Sequence, residues 1–247
     1  MKHPVRLMVT LIITLLAVAG LLFYRQQQDD TTQNNTNQAN QATQQNALVK
    51  DHVKYDVPLI DQMSSPALYN GCEVTSLAML LQYYGKDVSK NDLADAIKTV
   101  PLTYDDGDHG NPNVGFVGSV SGDTPGLGVY HGPIRKLAKH YIGNVTDISG
   151  SNFSAVIRAL SSGHPVWTIT TATFAKVEDF EEWSTPQGDI KVTYSQHSVV
   201  ITGYNKAKRL IYINNPYGQK NEAVDWDDFA AAYKQMGQQA IYINQDK

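Results

Sequence analysis

The composition of this chain breaks sharply near residue 48, and that break confines any fold to the residues after it. From Gln26 to Ala47 the residues are Gln, Asn, Thr and Asp with three alanines, and no aromatic or larger aliphatic side chain appears. Such a stretch buries too little apolar surface to offset the entropy of ordering it, so it reads as a disordered tether. The expected organisation is a membrane-targeting segment at 1–25, a Gln/Asn/Thr-rich linker at 26–48 and one folded domain at 49–247. That domain, about 200 residues rich in Val, Ile, Tyr and Leu, is long enough for a sizeable core.

The first segment starts Met1-Lys2-His3-Pro4-Val5-Arg6 and then runs apolar from Leu7 to Tyr24, broken only by Thr10, Thr14 and Gly20. That is the length of a short membrane span, and the basic start is also the layout of a secretory signal. Ala17-Val18-Ala19 offers a small-x-small cleavage pattern, but Leu21-Leu22-Phe23-Tyr24 carries the apolar run past it. An uncleaved signal anchor is therefore favoured over a cleaved signal. Lys2 and Arg6 ahead of the span orient the N-terminus inside and the domain outside. The chain is expected to be extracytoplasmic, membrane-anchored, or secreted if the segment is cleaved. A formal net charge of −4 without a Lys/Arg cluster argues against nucleic-acid binding.

Cys72 is the single cysteine of the chain. It excludes an intramolecular disulfide and argues against zinc or iron–sulfur sites, which draw on several thiolates. It follows the turn dipeptide Asn70-Gly71 and opens a run, Cys72 to Tyr84, with apolar residues at Val74, Leu77, Ala78, Leu80 and Leu81 at helical spacing. A thiol at a helix N-terminus feels the positive end of the macrodipole, which favours the thiolate. Against this stands the habit of free cysteines to be inert core residues.

Gly85 is placed to end that helix. Ser89 with Asp92 is placed to cap a second, whose buried stripe is Leu93, Ala96 and Ile97. Pro101 to Gly132, with eight glycines, reads as a long irregular segment, and its part from Gly107 to Gly132 is expected to border the cleft. Helices are expected over 133–140 and 152–161. The texture then turns to strands at 165–171, 191–194, 197–205 and 209–214, a short helix from Asp225 to Tyr233, and a last strand at 239–243. Helices first and antiparallel strands after make an α+β domain.

A thiol nucleophile needs a base within hydrogen-bond reach and a group to orient that base. Of seven histidines, His197 is the one that opens a strong apolar strand, 197–204. The turn Asn205-Lys206-Ala207-Lys208 joins it to a partner strand that ends at Asn214-Asn215-Pro216, so one of the two asparagines falls opposite His197. Its side-chain oxygen is suited to fix the imidazole tautomer. Gln62, in the loop feeding Cys72, is a candidate oxyanion donor. No His-Glu-x-x-His, EF-hand loop, Gly-x-Ser-x-Gly or phosphate-binding glycine loop is present, and Asp105-Asp106-Gly107-Asp108 reads as a solvated turn. No metal and no cofactor are called for.

Several pieces in order resemble the C39-like cysteine peptidases of the papain-like clan, in the branch of free-standing extracytoplasmic bacterial proteins. They are Val57-Pro58-Leu59-Ile60-Asp61-Gln62, Asn70-Gly71-Cys72-Glu73-Val74-Thr75-Ser76-Leu77-Ala78-Met79, Tyr83-Tyr84-Gly85, Gly115-Phe116-Val117-Gly118, Gly128-Val129-Tyr130, Gly163-His164-Pro165-Val166, His197 to Tyr204 and Asn215-Pro216. The resemblance implies a papain-like fold, with the cysteine-bearing helix packed on a C-terminal antiparallel sheet that carries His and Asn. It implies Cys72 as nucleophile, His197 as base and acid, Asn215 as orienting residue and Gln62 as oxyanion donor. Asn215 stands where such proteins often carry Asp. The expected activity is hydrolysis of a peptide or protein substrate, with cell-wall peptide among the candidates, by a monomer. The alternatives are a cell-wall amidase or acyl transferase using the same site, and a non-catalytic binding module. Trp167 and Trp183 are candidate subsite walls, Trp167 being the better core residue.

Overall fold

The computed structural model describes residues 24–28 and 49–245. Residues 24–28 are helical; the rest of the expected targeting segment and linker lies outside the described residues. Among the described residues no helix is long and apolar enough to cross a membrane. The domain from Lys50 onward is a unit by itself.

Its centre is helix α1, Cys72–Tyr83, buried along every residue but Gln82. Gly71 caps it without a side-chain bond, and a Cβ there would come within 2.6 Å of Leu68 Cβ, so the tight turn before Cys72 needs glycine. At the other end Gly85 takes φ +74°, and the Gly85 and Lys86 amides donate to the Gln82 and Leu81 carbonyls. Glycine reaches that left-handed conformation without steric cost and satisfies the last-turn carbonyls. Helix α2, Lys90–Ala96, begins with the expected box: Ser89 accepts from the Asp92 amide while Asp92 accepts from Ser89.

Seven of the strands form one large sheet. In chain order they are β1 (His52–Lys54), β5 (Val145–Asp147), β6 (Val166–Thr171), β9 (Gln196–Asn205), β10 (Leu210–Asn215), β11 (Gln219–Asp225) and β12 (Ala240–Ile243), arranged β11-β10-β9-β6-β12-β5 with β1 also on β9. The pairings are antiparallel. Helices α3 (His131–Tyr141), α4 (Phe153–Ser161) and α5 (Trp226–Gln235) complete the domain. Leu77, Met79, Leu80 and Leu81 of α1 are fully buried in one cluster with Trp167, Ile169 and Val200 of the sheet. Each such side chain contributes about 1.5–3 kcal/mol by leaving water. This is the expected helix-on-sheet α+β architecture.

Three expectations need correction. The glycine-rich segment is not wholly irregular: it holds β3 (Phe116–Gly118) and β4 (Gly126–Gly128), which form a small sheet with β2 (Thr99–Val100) just ahead of it. It shares a second core with Trp183 and Val192 of the hairpin β7 (Glu181–Trp183) and β8 (Ile190–Val192). Strand β11 has no counterpart among the expected strands, because Gln219-Lys220-Asn221-Glu222 is polar and belongs to a solvated edge. Ala96 is exposed, so the buried stripe of α2 reduces to Leu93 and Ile97.

Candidate active site

The site assembles where the first turn of α1 meets β9. Ser76 Oγ donates to the Ser198 carbonyl across 3.0 Å, and the indole Nε1 of Trp167 on β6 donates to the Glu73 carbonyl across 3.0 Å. Trp167 is wholly buried and clamps the helix to the sheet; it is no subsite wall. Trp183 is also buried, stacked on His109 at 4.2 Å between ring centres. The Ser198 backbone amide supports the Cys72 thiolate, which puts the sulfur beside the residue that follows His197 on the strand.

His197 is only 2% exposed. Its Nε2 lies 3.0 Å from Asn215 Oδ1. That oxygen can only accept, so Nε2 carries the hydrogen and, in the neutral ring, Nδ1 is left as the proton acceptor. The amide of Asn215 is held in this orientation from both ends: Nδ2 donates to Glu222 Oε2 at 2.9 Å, and Oδ1 also accepts from the Tyr217 amide at 3.1 Å. The hairpin explains the choice between the two asparagines. Leu210 pairs with Asn205 and Ile211 with Tyr204, then a bulge between Tyr212 and Ile213 shifts the register so that Asn214 faces Val200. Successive side chains point to opposite faces. Asn214 accordingly donates to the Val57 and Pro58 carbonyls, and Asn215 is left for His197.

Two rings enclose the imidazole. Tyr217 stacks on it almost parallel, 4.9 Å between centres and 7° between planes, and Phe174 lies at 6.2 Å. Phe174 has φ +58°, a conformation uncommon for a bulky residue. This enclosure lowers the His197 pKa to about 4, by burial, with the Asn215 bond working the other way. The Cys72 thiol is pushed well above its ordinary value, first by burial and then by the neighbouring charge of Glu73. The helix N-terminus therefore does not leave a free-standing thiolate, as its position alone suggested. Desolvation outweighs the macrodipole, and the resting pair is thiol and neutral imidazole.

Gln62 sits at the same end of the domain, because its amide donates to the Pro216 carbonyl at 2.7 Å. Its Nε2, however, donates to the Leu68 and Tyr69 carbonyls at 3.1 and 3.2 Å, bracing the turn ahead of Cys72. In this geometry both amide hydrogens are engaged. The Cys72 N–H is one of the leading amides of α1 and has no acceptor within the helix.

Four residues of this region are not singled out by sequence reasoning: Glu73, Gln196, Tyr217 and Glu222. The available signal for Glu73 is a carboxylate immediately after Cys72 in an otherwise uncharged helix. The other three carry no local pattern. The β3–β4 hairpin borders this region: Asn70 Nδ2 donates to the Ser119 carbonyl, and Gly128 lies against Glu73 and Gln196. A cavity of about 520 Å³ opens beyond Tyr130, lined among others by His131, Phe180, Lys191 and Gln239. Among the described residues no cluster of His, Cys, Asp and Glu is arranged to hold a metal.

Comparison with known proteins agrees with this architecture. The chain is 54% identical over 189 residues to the uncharacterized protein YvpB of Bacillus subtilis strain 168, covering 76% of this chain and 74% of that one. The crystal structure of a C39-like peptidase from Bacillus anthracis superposes with a TM-score of 0.75 at 41% identity, over 80% of this chain and all of the other. Residues 54–241 match the model of the Peptidase_C39 like family, a span that holds the helix of Cys72 and the hairpin of His197 and Asn215 alike, and the chain belongs to that family.

Proposed function

We propose that this protein is an extracytoplasmic cysteine peptidase, tethered through its N-terminal segment, that hydrolyses peptide bonds with Cys72, His197 and Asn215. One observation carries the reading: the Asn215 bond to Nε2 commits the His197 tautomer, so that Nδ1 is the basic nitrogen. In the reaction, Nδ1 takes the thiol proton as sulfur attacks the peptide carbonyl carbon. The carbonyl π pair moves to oxygen, where the Cys72 N–H receives it. Gln62 is the second donor: one Nε2 hydrogen passes from the Tyr69 carbonyl to the oxyanion, a stronger acceptor because it is charged. The intermediate collapses, the C–N bond breaks and His197 protonates the leaving amine. Water, deprotonated by His197, then cleaves the thioester and returns the thiol. Asn215 is neutral, so it holds the ring without adding charge.

The full-length chain is to be incubated with a peptide library and with peptides released from peptidoglycan, beside Cys72→Ala and His197→Ala. Hydrolysis at internal peptide bonds that is lost in both variants supports the reading. Hydrolysis that persists in Cys72→Ala, or no hydrolysis of either pool by the wild type, overturns it.

A further inference from the structure

Glu73 follows Cys72 on α1 and is wholly buried. Its Oε1 accepts from Gln196 Nε2 at 2.7 Å and from the Val129 amide at 3.1 Å. Its Oε2 and the Oε1 of Gln196 have no nitrogen or oxygen donor, and the Cys72 thiol hydrogen-bonds the carboxyl. Gln196 Oε1 thus lacks a donor, and one proton on Glu73 supplies it. A carboxylic acid and an amide satisfy each other in this way, each giving one hydrogen and taking one. The space is built for the pair: a Cβ on Gly128 would come within 2.1 Å of Gln196 Nε2 and 2.2 Å of Glu73 Oε1.

We propose that Glu73 is a proton-holding partner of the nucleophile, holding Cys72 as a thiol when charged and freeing it for attack when protonated. The inference rests on Cys72 being the nucleophile. The groups facing Glu73 are Cys72 on its own helix, Tyr130 ahead of α3, Gln196 on β9 and Tyr217 after β10, and none is a cation. Burial raises the carboxyl to about 7, so both forms are present near neutrality. A carboxylate beside a thiol opposes a second negative charge. His197 receives no matching benefit, its ring being governed by burial and Asn215. Deprotonating Glu73 therefore raises the cost of the thiolate without easing that of the imidazolium. With Glu73 protonated, the Cys72 proton passes to His197 Nδ1 and the sulfur keeps its electron pair beside the Ser198 amide.

Glu73→Gln imitates the protonated form, retaining the accepting oxygen and placing an N–H donor where Oε2 stands. The test is the rate of Cys72 alkylation by iodoacetamide in the full chain from about pH 5 to 10, with a carboxyl ¹³C titration of Glu73 in the wild type. The expected results are a Glu73 midpoint near neutrality, and in Glu73→Gln a single-proton profile with alkylation about tenfold faster at pH 8. A superimposable or uniformly slower profile overturns the proposal. So does a Glu73 midpoint in the ordinary carboxylate range, which decides the matter even if Glu73→Gln fails to fold. His197→Ala alkylated at the wild-type rate throughout would overturn the peptidase reading and leave the Glu73 titration standing.

Discussion

Asn215 joins His197 to Glu222: its oxygen holds the imidazole at 3.0 Å and its nitrogen holds the carboxylate at 2.9 Å. The carboxylate of Glu222 stands one residue removed from the histidine, behind the amide of Asn215. Asn215→Asp should therefore not improve the enzyme. It turns a donor into an acceptor and sets two carboxylates face to face. We expect kcat to fall at least about tenfold, and Asn215→Asp/Glu222→Gln to regain most of it, since the new amide can donate to Asp. Steady-state kinetics of the three proteins decide this.

The buried pair Glu73 and His197 gives opposite pH dependences of stability. Glu73 is raised from 4.5 to about 7, so its contribution is complete below 4.5 and is lost as pH rises through 7. His197 is lowered from 6.5 to about 4, so its contribution is complete above 6.5 and is lost as pH falls through 4. Between these limits the two slopes offset each other. Chemical denaturation should show Glu73→Gln losing stability relative to wild type as pH drops from about 7 to 4.5, by roughly 3 kcal/mol over the window. His197→Ala should show the reverse trend, losing stability relative to wild type as pH rises from about 4 to 6.5.

Gly128 has φ +135° and no room for a side chain against Glu73 and Gln196. Gly128→Ala should cost about 1–3 kcal/mol in backbone strain and overpacking. The Glu73–Gln196 contact should open with it, so the ¹³C midpoint of Glu73 should fall toward the ordinary carboxylate range. An unchanged midpoint with unchanged stability would contradict the packing described.

Tyr217 covers His197 from the solvent side while its own side chain is 48% exposed. Tyr217→Ala should let water reach the imidazole and raise its pKa by about one unit or more, since burial is the cause of the depression. NMR titration of the His197 ring reads this directly. Tyr217→Phe, which keeps the stack, should leave it unchanged.

The Cys72 helix, the capped helix after it and the His197 hairpin are legible in the sequence because each rests on local chemistry: a helical apolar period, Ser89 with Asp92, and a turn between two apolar runs. Asn214 and Asn215 cannot be told apart from residue spacing alone, because the deciding feature is a bulge two residues upstream. Strand β11 escapes notice because an edge strand has no apolar alternation to announce it. The protonation of Cys72 is hidden for a different reason. The helix N-terminus is visible in the sequence, but the burial that outweighs it exists only in the fold, where the helix start is packed against the sheet and Gly128 lies against Glu73.

Whether Cys72 attacks peptide carbonyls with His197 as its base is decided by labelling the full chain with a set of peptidyl acyloxymethyl ketones. These reagents need an attacking thiolate at a seated peptide, and the adduct is mapped by mass spectrometry. The expected result is a single adduct on Cys72, protected by competing peptide, and formed at least about a hundredfold more slowly in His197→Ala. Labelling of Cys72 at equal rates in wild type and His197→Ala, or no peptide-dependent labelling at all, would contradict that role for the pair.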